Sequence, residues 1–207
     1  KYIISSAILS LALTGVSCSD DQVLDLKPIN SIDESTAFST PALIQASVNG
    51  MYQAAQVGYY TGSGRGYVWG AAYTQQNDMR GEDGVNTAAF YQTTYQASYD
   101  GNSANNVYYW VDGYRLINRC NLVIEGVANA VNAGIIDQAT GDDYIGQAKF
   151  LRAITHFELL VHFARPYQDN PTTNLGVPYR DYAINNSSAV DLAFNDGRLT
   201  VAESYIR

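Results

Sequence analysis

The chain is poor in the residues that do most metal and nucleophile chemistry. It has two cysteines, Cys18 and Cys120, and two histidines, His156 and His162, in 207 residues. The cysteines have no metal-type spacing, so a zinc module is excluded. The histidines stand six apart in a helical pattern and point to different sides, so they cannot share a metal as residues four apart could. Basic residues are also scarce: 12 Lys and Arg against 20 Asp and Glu give a net charge of −8. No basic stripe exists to meet phosphates, which excludes DNA or RNA as a partner. No Gly-x-Ser-x-Gly elbow occurs. Gly62-x-Gly64-x-Gly66 lacks the Lys-Ser/Thr of a phosphate loop and the spacing of a dinucleotide fingerprint, and reads as a mobile turn. Nothing calls for a cofactor. Adjacent acids such as Glu82–Asp83 and Asp142–Asp143 are poorly placed to face each other across a substrate. No apolar run is long enough for a confident membrane span.

Apolar content, by contrast, is ample at 46%, and the chain carries 17 tyrosines. The first 17 residues place one positive charge, an apolar run and small residues ahead of Cys18, the layout of a secretory signal. Their removal takes away Lys1 and no acid. Residues 18–39 read as an extended lead-in, with Ser31-x-x-Glu34 as a capping box.

Three helices stand out. Thr40-Pro41 opens the first, with Thr as cap and Pro at the first helical position. Leu43, Ala46, Gly50 and Ala54 share one side of it, with Ile44, Val48, Met51 and Ala55 beside them. The second runs from Asn106 to Val127, with Val107, Trp110, Tyr114, Ile117, Asn121 and Ile124 on one face. An asparagine on an apolar face needs a partner, so Asn121 is expected to bridge to a neighbouring helix backbone. The third runs from Asp142 to Tyr167. Thr140–Asp143 supplies cap candidates, Phe150, Ile154, Phe157 and Val161 line one side, Leu151 and Leu160 widen the stripe, Arg165 sits in the last turn and Pro166 stops it. Glu158 and His162, four apart, are placed to pair. The short connection from Ala128 to Gly141 makes the second and third helices an antiparallel hairpin. Cys120, inside the second helix, reads as a small buried hydrophobe. Beyond Pro166 a Pro-, Asn- and Asp-rich stretch runs to residue 198, with a turn at Asn195-Asp196-Gly197. Thr200-x-x-Glu203 then starts a further helix.

These landmarks carry a resemblance. The string Ala148-Lys149-Phe150-Leu151-Arg152-Ala153, with Phe157, Leu160, Phe163 and Pro166, is similar to a helix of SusD/RagB-type outer-membrane lipoproteins. Ala153 and Phe157 also resemble the Ala-x3-Phe of a tetratricopeptide second helix. Leu24-Asp25-Leu26-Lys27-Pro28, Gly50-Met51-Tyr52, the Trp110, Tyr114, Ile117, Asn121 series, and Leu175-Gly176-Val177-Pro178-Tyr179 resemble further family segments, in family order. Cys18 resembles the lipidated cysteine of a relaxed lipobox, and Ser19-Asp20-Asp21 resembles a surface-export signal. The resemblance implies an all-α fold of tetratricopeptide-like helical hairpins with long irregular loops. It divides the chain into a signal peptide (1–17), a lipidated N-terminus and lead-in (18–39), and a helical domain (40–207) that is the N-terminal portion of a longer protein. It implies a lipid-anchored, surface-exposed outer-membrane protein that captures an oligosaccharide and passes it to a SusC-like, TonB-dependent barrel, without catalysis.

The candidate ligand surface is residues 67–114, which hold eleven of the 25 aromatics in under a quarter of the chain. Several lie in Gly/Asn/Gln-rich loop, where core packing explains them poorly. Sugar rings stack on aromatics and need Asn, Asp, Gln and Arg for their hydroxyls. Tyr73, Asn77, Asp78, Arg80, Tyr91 and Tyr95 are the residues singled out. Two other readings stay open. In one, the aromatics bind peptide or form a structural lid on the barrel. In the other, the protein is a helical glycoside hydrolase, which needs two carboxylates facing across a cleft.

Overall fold

A computed structural model describes residues 34–58, 64–81 and 84–207. Cys18, the signal segment, most of the lead-in with Ser31, Gly62 and the Glu82–Asp83 pair lie outside them. Residues 1–36 form one unit, described only at the start of the single-turn helix α1 (Glu34–Ala37); the second unit, Ala37–Arg207, carries the remaining elements.

That second unit is built on a helical hairpin. Helix α5 (Ala104–Asn132) and helix α6 (Gln138–Phe163) pack on each other, with α2 (Pro41–Val57) lying mainly on α5 and touching α6 at fewer points. The hairpin is antiparallel, because position falls along α6 as it rises along α5. Gly113 lies against Leu159, and Val131 and Val127 lie against Gly141. A β-carbon on Gly141 would stand 2.3 Å from Val131 Cγ2, so the glycine is a close-approach point between helices and not a break. Among the described residues there are no strands, only an isolated bridge between Leu175 and Thr200. The fold is all-α and tetratricopeptide-like.

Local signals set most boundaries. Thr40 caps α2, its hydroxyl accepting from Leu43 N at 3.3 Å with Pro41 at the first position, as the sequence predicts. Thr200 and Glu203 close a reciprocal capping box on the last turn, α8 (Val201–Ser204). Helix α6 differs at both ends from its expected span. Asp137 caps it, accepting from Thr140 N at 2.8 Å, so it begins before the acids expected to start it. It ends at Phe163, with Ala164 extended. Pro166 disfavours helical backbone at Arg165, so Arg165 falls outside the last turn and bonds Asp169 instead, Nε to Oδ2 at 2.6 Å. Helix α7 (Ser187–Asn195), capped by Asn186 onto Ala189 N, lies inside the Pro-, Asn- and Asp-rich stretch, where no helix was expected.

The buried faces are also rotated from the expected ones. On α6, Ala148, Leu151, Thr155 and Leu159 face the hairpin, while Phe150 (66% exposed), Phe157 and Val161 face outward and Ile154 is only partly buried. Ala153 and Phe157, the tetratricopeptide pair, both lie on the outer side. On α2 the buried line is Ile44, Val48, Met51 and Ala55, not Leu43–Ala54. On α5 it runs through Tyr109, Gly113, Leu116, Cys120, Val123 and Val127, with Ile117 and Asn121 turned to a second neighbour. For the hairpin the cause is close approach: Gly113 receives Leu159 and Gly141 receives Val131, so these glycines, with the buried Ala148, set the seam between α5 and α6.

Two clusters result. An aliphatic one joins Ile44, Val48 and Met51 to Leu116, Val123, Val127 and Leu151 near the hairpin connection. An aromatic one joins Tyr67, Tyr91, Tyr109, Ile117, Leu159 and Val177 toward the other end. Cys120 is fully buried in the first, and burial pushes its thiol pKa up to about 12, so it is a protonated hydrophobe as expected.

Candidate functional site

Between the two clusters and solvent lies the irregular region 64–103. Its turns are not loose. Gly66 (φ +68°) and Gly70 approach Gln56 O so closely that a β-carbon on either would fall within 2.2 Å of it, and Gly66 N donates to Val57 O at 2.8 Å. The described part of the glycine series is therefore a fixed turn that inserts Tyr67 and Val68 into the core, not a mobile one. It leads into α3 (Ala71–Arg80), then the single-turn helix α4 (Gln92–Tyr95).

Helix α3 is held to the end of α6 through polar contacts. His162 Nδ1 stands 2.9 Å from Glu158 O and 3.4 Å from Glu158 Oε2, so the predicted pair forms; its Nε2 stands 3.2 Å from the Asn77 amide. Burial holds the His162 pKa below its ordinary value, and the Arg80 charge adds to this. The neutral ring has one N–H, and its two nitrogens face two acceptors, Glu158 O and Asn77 Oδ1, so the tautomer decides which of the two contacts carries the proton.

A cleft of about 840 Å³ opens beside this contact. Arg80, at the end of α3, and Tyr99 form one wall, with the guanidinium 5.7 Å from the Tyr99 ring centroid. Asp100, Gly101 and Asn106 form the rim, and Val107, Trp110, Val161 and Phe163 form the apolar floor. The rim is tied down. Asp100 Oδ1 accepts from Asn102 N (2.9 Å) and Ser103 Oγ (3.0 Å), Ser103 Oγ accepts from Asp100 N (2.9 Å), and Asn106 Nδ2 donates to Asp100 O (3.2 Å). These bonds occupy the Ser103 hydroxyl, which therefore makes no cap bond to α5. They also hold the exposed Asp100 carboxyl below the usual range, so it is ionised at neutral pH. A carboxylate has about four acceptor positions, so Asp100 keeps room for a ligand hydroxyl.

The residues singled out from sequence are not all at this place. Arg80 lines the cleft. Asn77 lies behind it, spent on His162. Tyr73 packs between Trp69 (5.2 Å) and Tyr109 (6.3 Å), with Glu158 and Asn77 at its hydroxyl. Asp78 is exposed but not among the lining residues. Tyr91 is 7% exposed inside the aromatic cluster, so its face cannot receive a sugar; Tyr95 is exposed on α4, outside the lining. The aromatic enrichment of residues 67–114 is thus mainly a second core. Trp69 donates to Thr155 Oγ1 at 3.1 Å, and Tyr67, Tyr91 and Tyr109 are buried. Phe90, Tyr95 and Tyr99 are the rings of this region exposed most. Tyr99, Asp100, Asn106 and Trp110 were not singled out. The signal available for them was the Asp-Gly-Asn-Ser turn ahead of the long Trp110 helix, a local bonding pattern that fixes whatever stands beside it.

Asn121 is partnered differently from expectation. Its Nδ2 donates to Tyr182 O (2.8 Å) and Arg180 O (3.3 Å), and its Oδ1 accepts from Arg152 NH1 (2.8 Å). The backbone it holds belongs to an extended strap, residues 177–184, and not to a helix. Outside helix and sheet the strap carbonyls have no ladder partner of their own, and the Asn121 amide supplies one.

Solved structures share this architecture. A SusD superfamily protein from Bacteroides fragilis is 26% identical, with a TM-score of 0.69 over 82% of this chain and 37% of its own. Superfamily proteins from Bacteroides thetaiotaomicron VPI-5482 (20% identity, TM-score 0.61) and Bacteroides vulgatus ATCC 8482 (24%, 0.60) share the fold, each over 81% of this chain and 35% of theirs. "SusD-like protein P2" of Formosa agariphila is 27% identical over 198 residues, 92% of this chain and 33% of that protein. The chain therefore spans about a third of the length of these relatives. The SusD-like family model, described as "Starch-binding associating with outer membrane", matches residues 22–207, which takes in every described residue, and the chain belongs to that family.

Proposed function

We propose that the protein is a cell-surface lipoprotein that captures an oligosaccharide and hands it to a SusC-like, TonB-dependent barrel in the outer membrane, breaking no bond. Residues 1–17 are its signal peptide, Cys18 its lipid anchor, 18–39 the lead-in, and 40–207 the helical domain. The observation that carries the binding role is the 840 Å³ cleft in which an exposed ring, Tyr99, and a half-buried one, Trp110, stand beside Arg80, Asp100 and Asn106. Flat apolar faces suit sugar C–H surfaces, and the charged and amide groups suit hydroxyls. The family description supports a starch-type glycan as the first ligand to try. A glycosidase needs two facing carboxylates, and among the described residues only Asp100 brings one to this cleft.

Affinity gels containing starch and other glycans test the reading, run with protein lacking residues 1–18. One glycan class should retard the protein. Tyr99→Ala and Arg80→Ala should each weaken that retention about tenfold or more, a loss of ~1.4 kcal/mol or more, while Asp78→Ala and Tyr95→Ala change it less. Folded protein that no glycan retards would overturn the binding role. Separately, Cys18→Ala should release the protein from membranes, and continued attachment would remove the anchor.

A further inference from the structure

The outer face of α6 carries a second hollow, on residues the cleft does not use. Lys149, Arg152, Ala153, His156, Phe157 and Leu160 recur at three- and four-residue steps, so they share one side of the helix. A pocket of about 400 Å³ opens over that side. The strap closes it with Val177 and Tyr179, and the end of α8 closes it with Ser204, Tyr205 and Arg207. None of these residues lines the 840 Å³ cleft. The walls are held in place. Tyr179 lies on the His156 ring, with centroids 4.7 Å apart, and Phe157 meets Tyr205 edge-on at 5.8 Å. Gly176 N donates to Leu199 O at 2.8 Å, and a β-carbon on Gly176 would stand 2.5 Å from Ser204 Oγ and 3.0 Å from Leu160 Cδ1. Helix α8 is therefore seated against both α6 and the start of the strap.

The charge here is unlike that of the whole chain. Acids outnumber Lys and Arg by 20 to 12, yet three of those 12 line this pocket, and among the described residues no acid does. Glu203, close to Arg207 in the chain, has its carboxylate spent on Thr200 N and Oγ1, both at 2.8 Å. Asp181 bonds Arg152 through its backbone oxygen, at 3.2 Å, and is not in the lining. Arg152 NH1 also donates to Asn121 Oδ1 at 2.8 Å, which fixes the guanidinium. Its Nε–NH2 edge, the geometry that grips a carboxylate side-on, has no partner among the described residues. Lys149 is exposed and makes no hydrogen bond or ion pair among them. Lys149 and Arg152, three apart on one helix, are a like-charge pair that an anion between them relieves. His156 adds a ring and no charge, because Arg180 N and Arg152 O engage its two nitrogens.

We propose that this pocket binds a small organic acid, with its carboxylate held by Arg152 and Lys149 and its apolar body against Phe157, Leu160, Val177 and Tyr205. Such a site is separate from the glycan cleft and does not depend on it. The planar edge of Arg152 suits a planar carboxylate. The apolar wall rewards a body that an inorganic anion lacks. The volume falls within the range of small-molecule sites, about 300–1,000 Å³.

The test is titration calorimetry with benzoate, its neutral isostere benzamide, acetate and inorganic phosphate, on the protein lacking residues 1–18. Benzoate should bind saturably, and benzamide about tenfold or more weakly, because the charge-assisted bonds are lost. Acetate and phosphate, which bring charge without an apolar body, should both bind more weakly than benzoate. Lys149→Glu should lower benzoate affinity about tenfold or more, while Lys149→Arg keeps it and Phe157→Ala lowers it. Both positions are exposed, and an unchanged melting temperature confirms folding. Lys149→Glu should leave glycan retention in gels unaltered. Equal binding of benzoate and benzamide would overturn the anion site. Phosphate binding as tightly as benzoate would overturn the organic-acid assignment. Benzoate binding that is lost with Tyr99→Ala and ignores Lys149→Glu would belong to the cleft and overturn the second site. Failure of benzoate to bind would overturn the proposal and leave the glycan reading to its own gels.

Discussion

The two ends of the α5–α6 hairpin are built from different materials. Near the connection, the packing is aliphatic and nearly free of polar groups: Ile44, Met51, Val123, Val127 and Ala148 close around a glycine seam. Toward the other end the core turns aromatic and polar. Tyr109 packs on Phe163 and His162, Trp110 packs on Tyr114 and Phe163, and Thr155, His156 and Asn121 are buried with hydrogen bonds made. Aliphatic packing gives burial without direction. The aromatic and polar end fixes orientations, because each buried N–H or O–H accepts only a narrow geometry. The cleft is found at that end, and the strap starts from it, with Pro178 on Tyr114, and runs along α5 to Ala183 on Glu125. The hairpin therefore separates a part that supplies stability from a part that positions loops.

Four measurements would sharpen or break that separation. Ile44→Ala, at a fully buried aliphatic site, should cost about 2–5 kcal/mol in chemical denaturation, yet leave glycan affinity of the folded protein unchanged. A loss of affinity in step with stability would mean that the two ends are not separable.

The polar end should respond to pH where the aliphatic end cannot. His156 is buried against Arg152, Arg180 and Asp181, with its Nε2 accepting from Arg180 N at 3.1 Å and its Nδ1 facing Arg152 O. Burial lowers its pKa from 6.5 to about 4. The unfolded chain therefore takes the proton first. Stability is complete above about pH 6.5 and falls as pH drops toward 4, by about 3 kcal/mol at most. His156→Gln, which keeps an acceptor, should flatten the stability profile across that window. An unchanged slope would assign the pH dependence to other groups.

Asn121→Ala should cost about 1–3 kcal/mol by leaving two strap carbonyls and Arg152 without their partner. Hydrogen exchange should quicken at Ala183 and Ile184, with little change around Val127. The smallest effect is Thr40→Ala, which removes an exposed cap from the aliphatic side and should lower stability by about 1 kcal/mol, with no change in the strap.

Much of this organisation is legible in the residues. Thr40-Pro41 and Thr200-x-x-Glu203 announce their helix starts because a cap is a bond between near neighbours. The antiparallel hairpin follows from two long helical patterns and a short join. The cleft is less legible. Arg80 is identified, but Tyr91 and Tyr73 are drawn into the core, and Tyr99 and Trp110 take the positions expected of them. A Tyr in a glycine-rich loop gives the same local signal whether its loop folds inward or stays out. The close fit of Gly66 and Gly70 against Gln56 O decides that question, and it joins residues that a pattern read along the chain does not connect.

The sequence alone determined the order of the three long helices and the caps at Thr40 and Thr200, because these depend on short-range bonds and on the periodicity of apolar residues, and its motif strings carried the resemblance to the family and its all-α fold. Only the tertiary structure decided which face of each helix is buried, that Asn121 holds a strap and not a helix, and which aromatics stay exposed. Those outcomes depend on how closely two helices can approach, and across the hairpin that is set where a glycine on one helix receives a larger side chain from the other, Gly113 against Leu159 and Gly141 against Val131.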